Sequence, residues 1–176
     1  MSSARPVSEL IELVDAHTFR ESMARVCAPV TIVTTLNDDG TPYGTTVSAF
    51  ASLSLEPPMV SVSLDKKSNI LARVTSSNRL SVNVLSAGQR DIAATFARSG
   101  GDKFAGVPWS AKEGLPQLGA VTAWLACKVV RLVDGGDHTV VLAAVTHAEF
   151  SDRLPLVYAH HTFGTHDELA KGQRCA

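Results

Sequence analysis

Cysteine is scarce in this chain: Cys27, Cys127 and Cys175 are the 3 cysteines among 176 residues, and they stand far apart. Without a Cys-x-x-Cys spacing they argue against a disulfide framework or a zinc knuckle and suit reduced thiols, with Cys27 and Cys127 expected to fill core. An excess of either charge is missing too. The 16 Lys and Arg face 17 Asp and Glu, a formal net charge of -1, so no global field draws in a polyanion or an anionic surface, and neither nucleic acid nor membrane is an expected partner. No apolar run approaches the roughly 20 residues of a spanning helix. Residues 1–6 carry only Arg5 with no long apolar stretch behind it, so no leader is read there and a cytoplasmic location is expected. Gly-x-Gly-x-x-Gly, the Walker loop and the Gly-x-Ser-x-Gly elbow are all absent, which removes the usual signatures of a Rossmann cofactor, nucleotide hydrolysis and serine-hydrolase chemistry. His160, His161 and His166 lie close together, but no acid or thiol stands at a ligand spacing, so no metal is expected.

What remains is one core's worth of chain, 45% hydrophobic, long enough for one domain and short for two. That domain is expected over residues 15–166, with an N-terminal extension over 1–14 and a polar, loose tail over 167–176. Phe19, Met23 and Val26 recur at helical spacing behind Asp15 or Thr18 as cap, and Pro29 stops that helix. Residues 30–36, rich in β-branched side chains, a turn at 37–40 and a second strand over 42–50 predict a hairpin. Residues 59–64 and 80–85 alternate with period two, and a short helix is expected between them over 68–75. Residues 89–98 have helical spacing, 103–119 read as a surface loop rich in Pro and Gly, and 121–133 with 139–150 form a long hairpin around Asp134-Gly-Gly-Asp-His138. Residues 156–158 add a last short strand. About six strands with few helices and no repeated βαβ unit point to a mainly β fold, a closed Greek-key antiparallel barrel rather than a doubly wound sheet.

Three places could carry chemistry. Gly44-Thr-Thr-Val-Ser-Ala-Phe-Ala-Ser52 combines hydroxyls with small residues that let a flat ligand reach the backbone, although a Ser/Thr-rich edge strand facing water has the same composition. Ser61-Val-Ser-Leu-Asp-Lys-Lys-Ser-Asn69 ends a strand and opens a helix, where free amides and Lys66 or Lys67 suit a phosphate, or where Ser68 simply caps its own helix. His138 sits in a glycine turn, where Asp137 tolerates a positive φ, and is either aimed into a pocket or a surface histidine. The residues alone lead to a barrel holding a phosphate-bearing ligand.

Phe19-Arg-Glu-Ser-Met, Gly44-Thr-Thr-Val-Ser-Ala-Phe, Ser54-Leu-Glu-Pro-Pro-Met-Val, Val82-Asn-Val-Leu-Ser, Phe96-Ala with Asp102-Lys-Phe-Ala-Gly, and Gly136-Asp-His follow one another in order from about residue 18 to 163. In that order and spacing they resemble the short-chain flavin reductases, the reductase components of two-component flavin-dependent monooxygenases. The resemblance implies a split β-barrel homodimer that binds FMN, with FAD as the alternative. It implies reduction of that flavin by NADH or NADPH and delivery of reduced flavin by diffusion to a partner monooxygenase. By analogy Thr45, Thr46, Val47, Ser48, Ala49, Phe50 and Ser52 line the ring and ribityl chain, while Leu64, Asp65, Lys66, Ser68 and Asn69 take the phosphate side. Asn83, Val84 and Leu85 form the floor, Phe96 joins the flavin contacts, and Arg98 and Lys103 add charge. His138 lies beside the nicotinamide as the catalytic-site residue, with Phe104, His160 and Phe163 shaping that side. Ala49, where many relatives have a second serine, and residues 158–163 depart from the family pattern. The rival readings are another split-barrel flavoprotein, of the pyridoxamine-phosphate-oxidase type, and a non-enzymatic flavin- or haem-binding barrel.

Overall fold

The computed structural model of the chain describes residues 11–166; residues 1–10, including most of the expected extension, and the expected tail over 167–176 lie outside the described residues. The first helix, α1 (Ala16–Met23), begins where the Asp15 carboxylate accepts from the N–H groups of His17 and Thr18 at 2.9 and 3.0 Å, holding two of the donors that a helix start leaves unpaired. A two-residue strand, β1 (Ala28–Pro29), leads into the hairpin of β2 (Thr31–Leu36) and β3 (Pro42–Val47).

The run over 42–50 does not continue as one strand. It breaks at Ser48 and Ala49, where Phe50 N–H donates to Ser48 O at 2.9 Å in a three-residue turn, and β4 (Phe50–Ser54) pairs with β5 (Met59–Asp65) instead of β2. Local period-two patterning does not report such a change of partner. After β5 come α2 (Asn69–Ser77), capped by Ser68 and ended by Asn78 in the left-handed region, β6 (Arg79–Val84) and α3 (Arg90–Ala97). The predicted loop over 103–119 contains a second hairpin, β7 (Trp109–Lys112) with β8 (Leu115–Leu118), whose two-residue turn puts both Glu113 and Gly114 at positive φ. A glutamate at such a position is an unusual signal.

The long hairpin joins β9 (Ala123–Gly135) to β10 (His138–Phe150). Gly136, at φ +71°, takes the first turn position, and Asp137 is not among the residues with positive φ; Gly then negative φ is the sign pattern of a II′ turn. The last strands, β11 (Val157–Ala159) and β12 (Thr162–Gly164), pair with each other around a turn through His160 and His161, both at positive φ, and β11 also pairs with β1.

The main sheet has seven antiparallel strands in the order β3-β2-β6-β9-β10-β5-β4. Its edges, β3 and β4, are consecutive in sequence, so the sheet curls until its two edges face one another across Ser48 and Ala49, and Ser63 N–H of β5 donates to Ala49 O at 2.9 Å. No ladder joins β3 to β4, so this is a split barrel and not a closed one. Val33, Val62, Leu80, Val82, Val141 and the helix residues Ile70 and Val74 fill its interior. A second core of Ile32, Leu85, Ala93, Phe96, Phe104, Leu118 and Leu156 lies under α3 and the last strands. β2 is covered on both faces, which is why its threonines Thr31, Thr34 and Thr35 are fully buried. Cys127 is buried as expected, with its thiol pushed up to about 12 by desolvation, whereas Cys27 is exposed and fills no core.

Candidate active site

The split in the barrel opens into a cleft of about 230 Å³ lined by Thr45, Thr46, Val47, Ser48 and Ala49 on one wall, by Ser63, Leu64, Asp65, Ser68 and Ile70 on the other, and by His138. The first wall is an edge strand, and edge strands leave every second pair of backbone groups without a ladder partner. Ser48 and Ala49, small and exposed at the break, leave the main chain approachable.

The hydroxyls in this wall are not all free for a ligand. Thr46 Oγ1 donates to Ala93 O at 2.7 Å and Thr45 Oγ1 to Phe96 O at 3.4 Å, so both threonines fasten β3 to α3. Gly44 explains the closeness of that contact: a Cβ there would stand 2.9 Å from both Phe96 Cε1 and Thr34 Cγ2. Ser48 and Ser63 are the hydroxyls at the open side of the cleft.

On the opposite wall Asp65 organises the turn into α2. Its carboxylate accepts from Lys67 N–H at 2.6 Å, its carbonyl accepts from Ser68 N–H and Ser68 Oγ, and Ser68 Oγ in turn caps Leu71 N–H at 3.4 Å. The cap reading of Ser68 is thus realised. The first turn of α2 still presents N–H groups without helical acceptors at the cleft. Lys66 turns away, to Asp134 and to Gly136 O.

His138 opens β10 directly opposite Asp65 of β5 in the register. Its Nδ1 lies 2.7 Å from Asp137 Oδ1, and that contact with the imidazole lowers the Asp137 carboxyl below its ordinary range. The hairpin turn itself is tied to the α2 loop by Lys66 N–H on Asp137 O at 3.0 Å. Half-exposed and fixed at the lip, the imidazole can position a second ligand against one lying in the cleft.

Of the expected site residues, Thr45, Thr46, Val47, Ser48, Ala49, Leu64, Asp65, Ser68 and His138 come together in this cleft. Phe50 packs on the barrel core, and Ser52, Lys66 and Asn69 are exposed beyond the walls. Asn83 is fully buried, its amide donating to Ile32 O and Thr34 Oγ1 and its carbonyl accepting from Leu118 N–H. Val84 lies beside it in β6, and Leu85 belongs to the second core. Phe96 and Phe104 form an edge-to-face pair in that same core, 4.9 Å between centroids at 78°. Arg98 is exposed at the end of α3, and His160 and Phe163 belong to the β11–β12 hairpin. Ser63 lay inside the candidate run over 61–69 without being singled out, and Ile70 was not expected in the site. Ser63 carried a signal, since it alternates outward in β5 just before Leu64. Among the described residues, no group of three or more His, Cys, Asp or Glu could hold a metal ion, and no helix is long and apolar enough to cross a membrane.

A family model described as flavin reductase-like domain matches residues 23–167. Among curated proteins, the chain is 36% identical over 155 residues to a probable flavin reductase of Rhizobium meliloti, a match that covers 88% of this chain and 50% of that one, so the chain spans half the length of that relative. It is 41% identical over 133 residues to the reductase subunit HsaB of a flavin-dependent monooxygenase from Mycobacterium tuberculosis, covering 75% of this chain and 71% of the relative. Among solved structures, an NADH:FAD oxidoreductase from Streptomyces globisporus superposes with a TM-score of 0.81 at 33% identity, covering 89% of this chain and 98% of that one.

Proposed function

The chain belongs to the flavin reductase-like family, and from that membership we propose that it reduces FMN, or FAD as the alternative, with NADH or NADPH and releases the reduced flavin by diffusion to a partner monooxygenase in the cytoplasm. The observation that carries this reading is the cleft at the barrel split, where small and hydroxyl residues on an edge strand face a helix start, with one histidine at the lip. These features suit the parts of a flavin: main-chain groups for the polar edge of a flat ring, Ser48 and Ser63 for a ribityl chain, and the first turn of α2 for a phosphate.

Bound together, flavin and nicotinamide supply the hydride chemistry themselves. The two electrons and the hydrogen leave the nicotinamide as hydride, a solvent proton completes the reduced flavin, and no acid on the chain is needed for hydride arrival. The chain's contribution is alignment, which removes much of the entropic barrier when reacting atoms are held about 3–3.5 Å apart. His138 holds the nicotinamide side in this scheme. NADH is favoured by the name of the Streptomyces relative, which also keeps FAD beside FMN as substrate; the monooxygenase partner is favoured by the Mycobacterium one.

A cleft of about 230 Å³ is below the roughly 300–1,000 Å³ of ligand pockets that enclose their occupant. One chain therefore offers a shelf, and a homodimer whose second copy covers the shelf completes the proposal. Two substitutions test it. Ala49→Leu places bulk at the break and should weaken flavin binding about tenfold, near 1.4 kcal/mol, when followed by quenching of flavin fluorescence. His138→Ala should raise the KM for NADH about tenfold and leave flavin affinity within a factor of two. Unchanged flavin binding in Ala49→Leu would move the flavin elsewhere, and an unchanged NADH KM would remove His138 from its role.

A further inference from the structure

Lys103 is the one lysine that burial holds below its ordinary range among the described residues. Among the described residues its ammonium has no carboxylate partner. It donates instead to two main-chain carbonyls, Phe96 O in the last turn of α3 at 3.0 Å and Gly44 O of β3 at 3.3 Å. A cation at the carboxyl end of a helix is favourably placed, and this one reaches across to the strand that continues into the cleft.

The surroundings fix that reach. Gly100 and Gly101, at φ +76° and +72°, fold the chain back after α3. Asp102 Oδ1 accepts from Phe104 N–H at 3.0 Å, and the Phe104 ring is anchored edge-on against Phe96. Lys103 is therefore clamped between two fixed points, with its ammonium 5.9 Å from the centroid of the Tyr43 ring. Gly44 precedes Thr45, and Phe96 O also accepts from Thr45 Oγ1, so Lys103 and Thr45 share one acceptor on α3 while holding adjacent residues of β3. Thr46 adds the third tie. Beside the packing of Gly44 on the Phe96 ring, these three side chains supply the hydrogen bonds that tie β3 to α3.

We propose that Lys103 is a positioning residue for flavin, acting through the β3 backbone by pinning Gly44 to the end of α3 and so fixing the cleft wall that Thr45 to Ala49 form. The inference rests on the flavin reading of that cleft. Removing the ammonium leaves Gly44 O without the one side-chain donor it has among the described residues and loosens β3 from the end of α3. That loosening falls on the flavin wall, while His138 and the α2 loop line the other side of the cleft.

Lys103→Met and Lys103→Arg, with the unaltered protein beside them, make the test, read by flavin Kd from fluorescence quenching and by separate KM values for flavin and NADH. The expected result is a flavin Kd and flavin KM raised about tenfold in Lys103→Met, with the NADH KM and the kcat at saturating flavin within a factor of two, and recovery of most of the flavin affinity in Lys103→Arg, which restores a cationic donor. If Lys103→Met does not fold, judged by its thermal transition, Lys103→Gln carries the same comparison. Flavin and NADH parameters that move together, or a flavin Kd within a factor of two of the unaltered protein in a folded variant, would overturn the inference. Failure of the unaltered protein to bind flavin at all would instead remove the reading on which it rests.

Discussion

A buried asparagine is costly unless each of its polar atoms finds a partner, and Asn83 finds three. It sits in a polar seam between the sheet and the β7–β8 hairpin, where Pro116 O accepts from Thr34 Oγ1, Ser81 Oγ and Trp124 Nε1 at 3.0, 2.8 and 3.1 Å. Asn83→Ala strands the Leu118 N–H and should cost about 2–3 kcal/mol, read by urea unfolding, with flavin affinity of the folded fraction retained. A loss of flavin affinity without a loss of stability would return Asn83 to the flavin contacts. Glu149 gives a pH signature. Lys112, then Gln117 and His147, hold its carboxyl down to about 2 from 4.5. The folded carboxyl then binds its proton near pH 2 and the unfolded one near 4.5, so its stabilising contribution is whole above about 4.5 and lost as pH falls toward 2. Glu149→Gln should be less stable than the parent at pH 6, with the difference closing between pH 4.5 and 2. A constant difference across that window would show that the Glu149 carboxyl is not held down in the folded chain.

At the scale of elements, the strands that alternate were legible because one face of each meets the barrel interior: Val60, Val62 and Leu64 of β5 are buried and Met59, Ser61 and Ser63 are not. Where a strand is covered on both sides the alternation fails, and β2 shows buried threonines that composition reads as solvent-facing. Pairing partners are not written locally either, which is why the break at Ser48 and Ala49 and the hairpin over 109–118 needed the fold. The site divides the same way. The wall over 45–49 was legible from its small and hydroxyl residues, and Asp65 and Ser68 from their place between strand and helix. Phe96, Phe104 and Leu85 share motifs with the site in sequence but lie in the core that supports it. Gly44 links the two. Gly44→Ala forces a Cβ to 2.9 Å from Phe96 and Thr34, so β3 and α3 must separate, at a cost of about 1–3 kcal/mol in chemical denaturation and with weaker flavin binding. A variant as stable as the parent would show that the contact is not tight.

On the scale of the whole molecule, α1 is the element least explained by one chain. An eight-residue helix is marginal alone, yet none of its residues is buried, and Phe19 and Met23 are 55% and 46% exposed. Phe150 is 90% exposed and Val130, Leu132 and Val133 are also uncovered. Uncovered apolar faces of this kind are what a twofold partner buries, in keeping with the homodimer proposed to complete the flavin shelf. Phe19→Glu should convert a dimer to monomer in light scattering at micromolar concentration and weaken flavin binding with it; a parent protein that is monomeric at that concentration would remove the second copy from the site. Flavin reduction at the barrel split, as proposed, is tested by the absorbance of NADH during turnover with purified protein as FMN, then FAD, is added. The expected result is oxidation that saturates in flavin, continues through many equivalents and falls strongly in Ala49→Leu. Flavin that binds without NADH oxidation above the protein-free rate would contradict it.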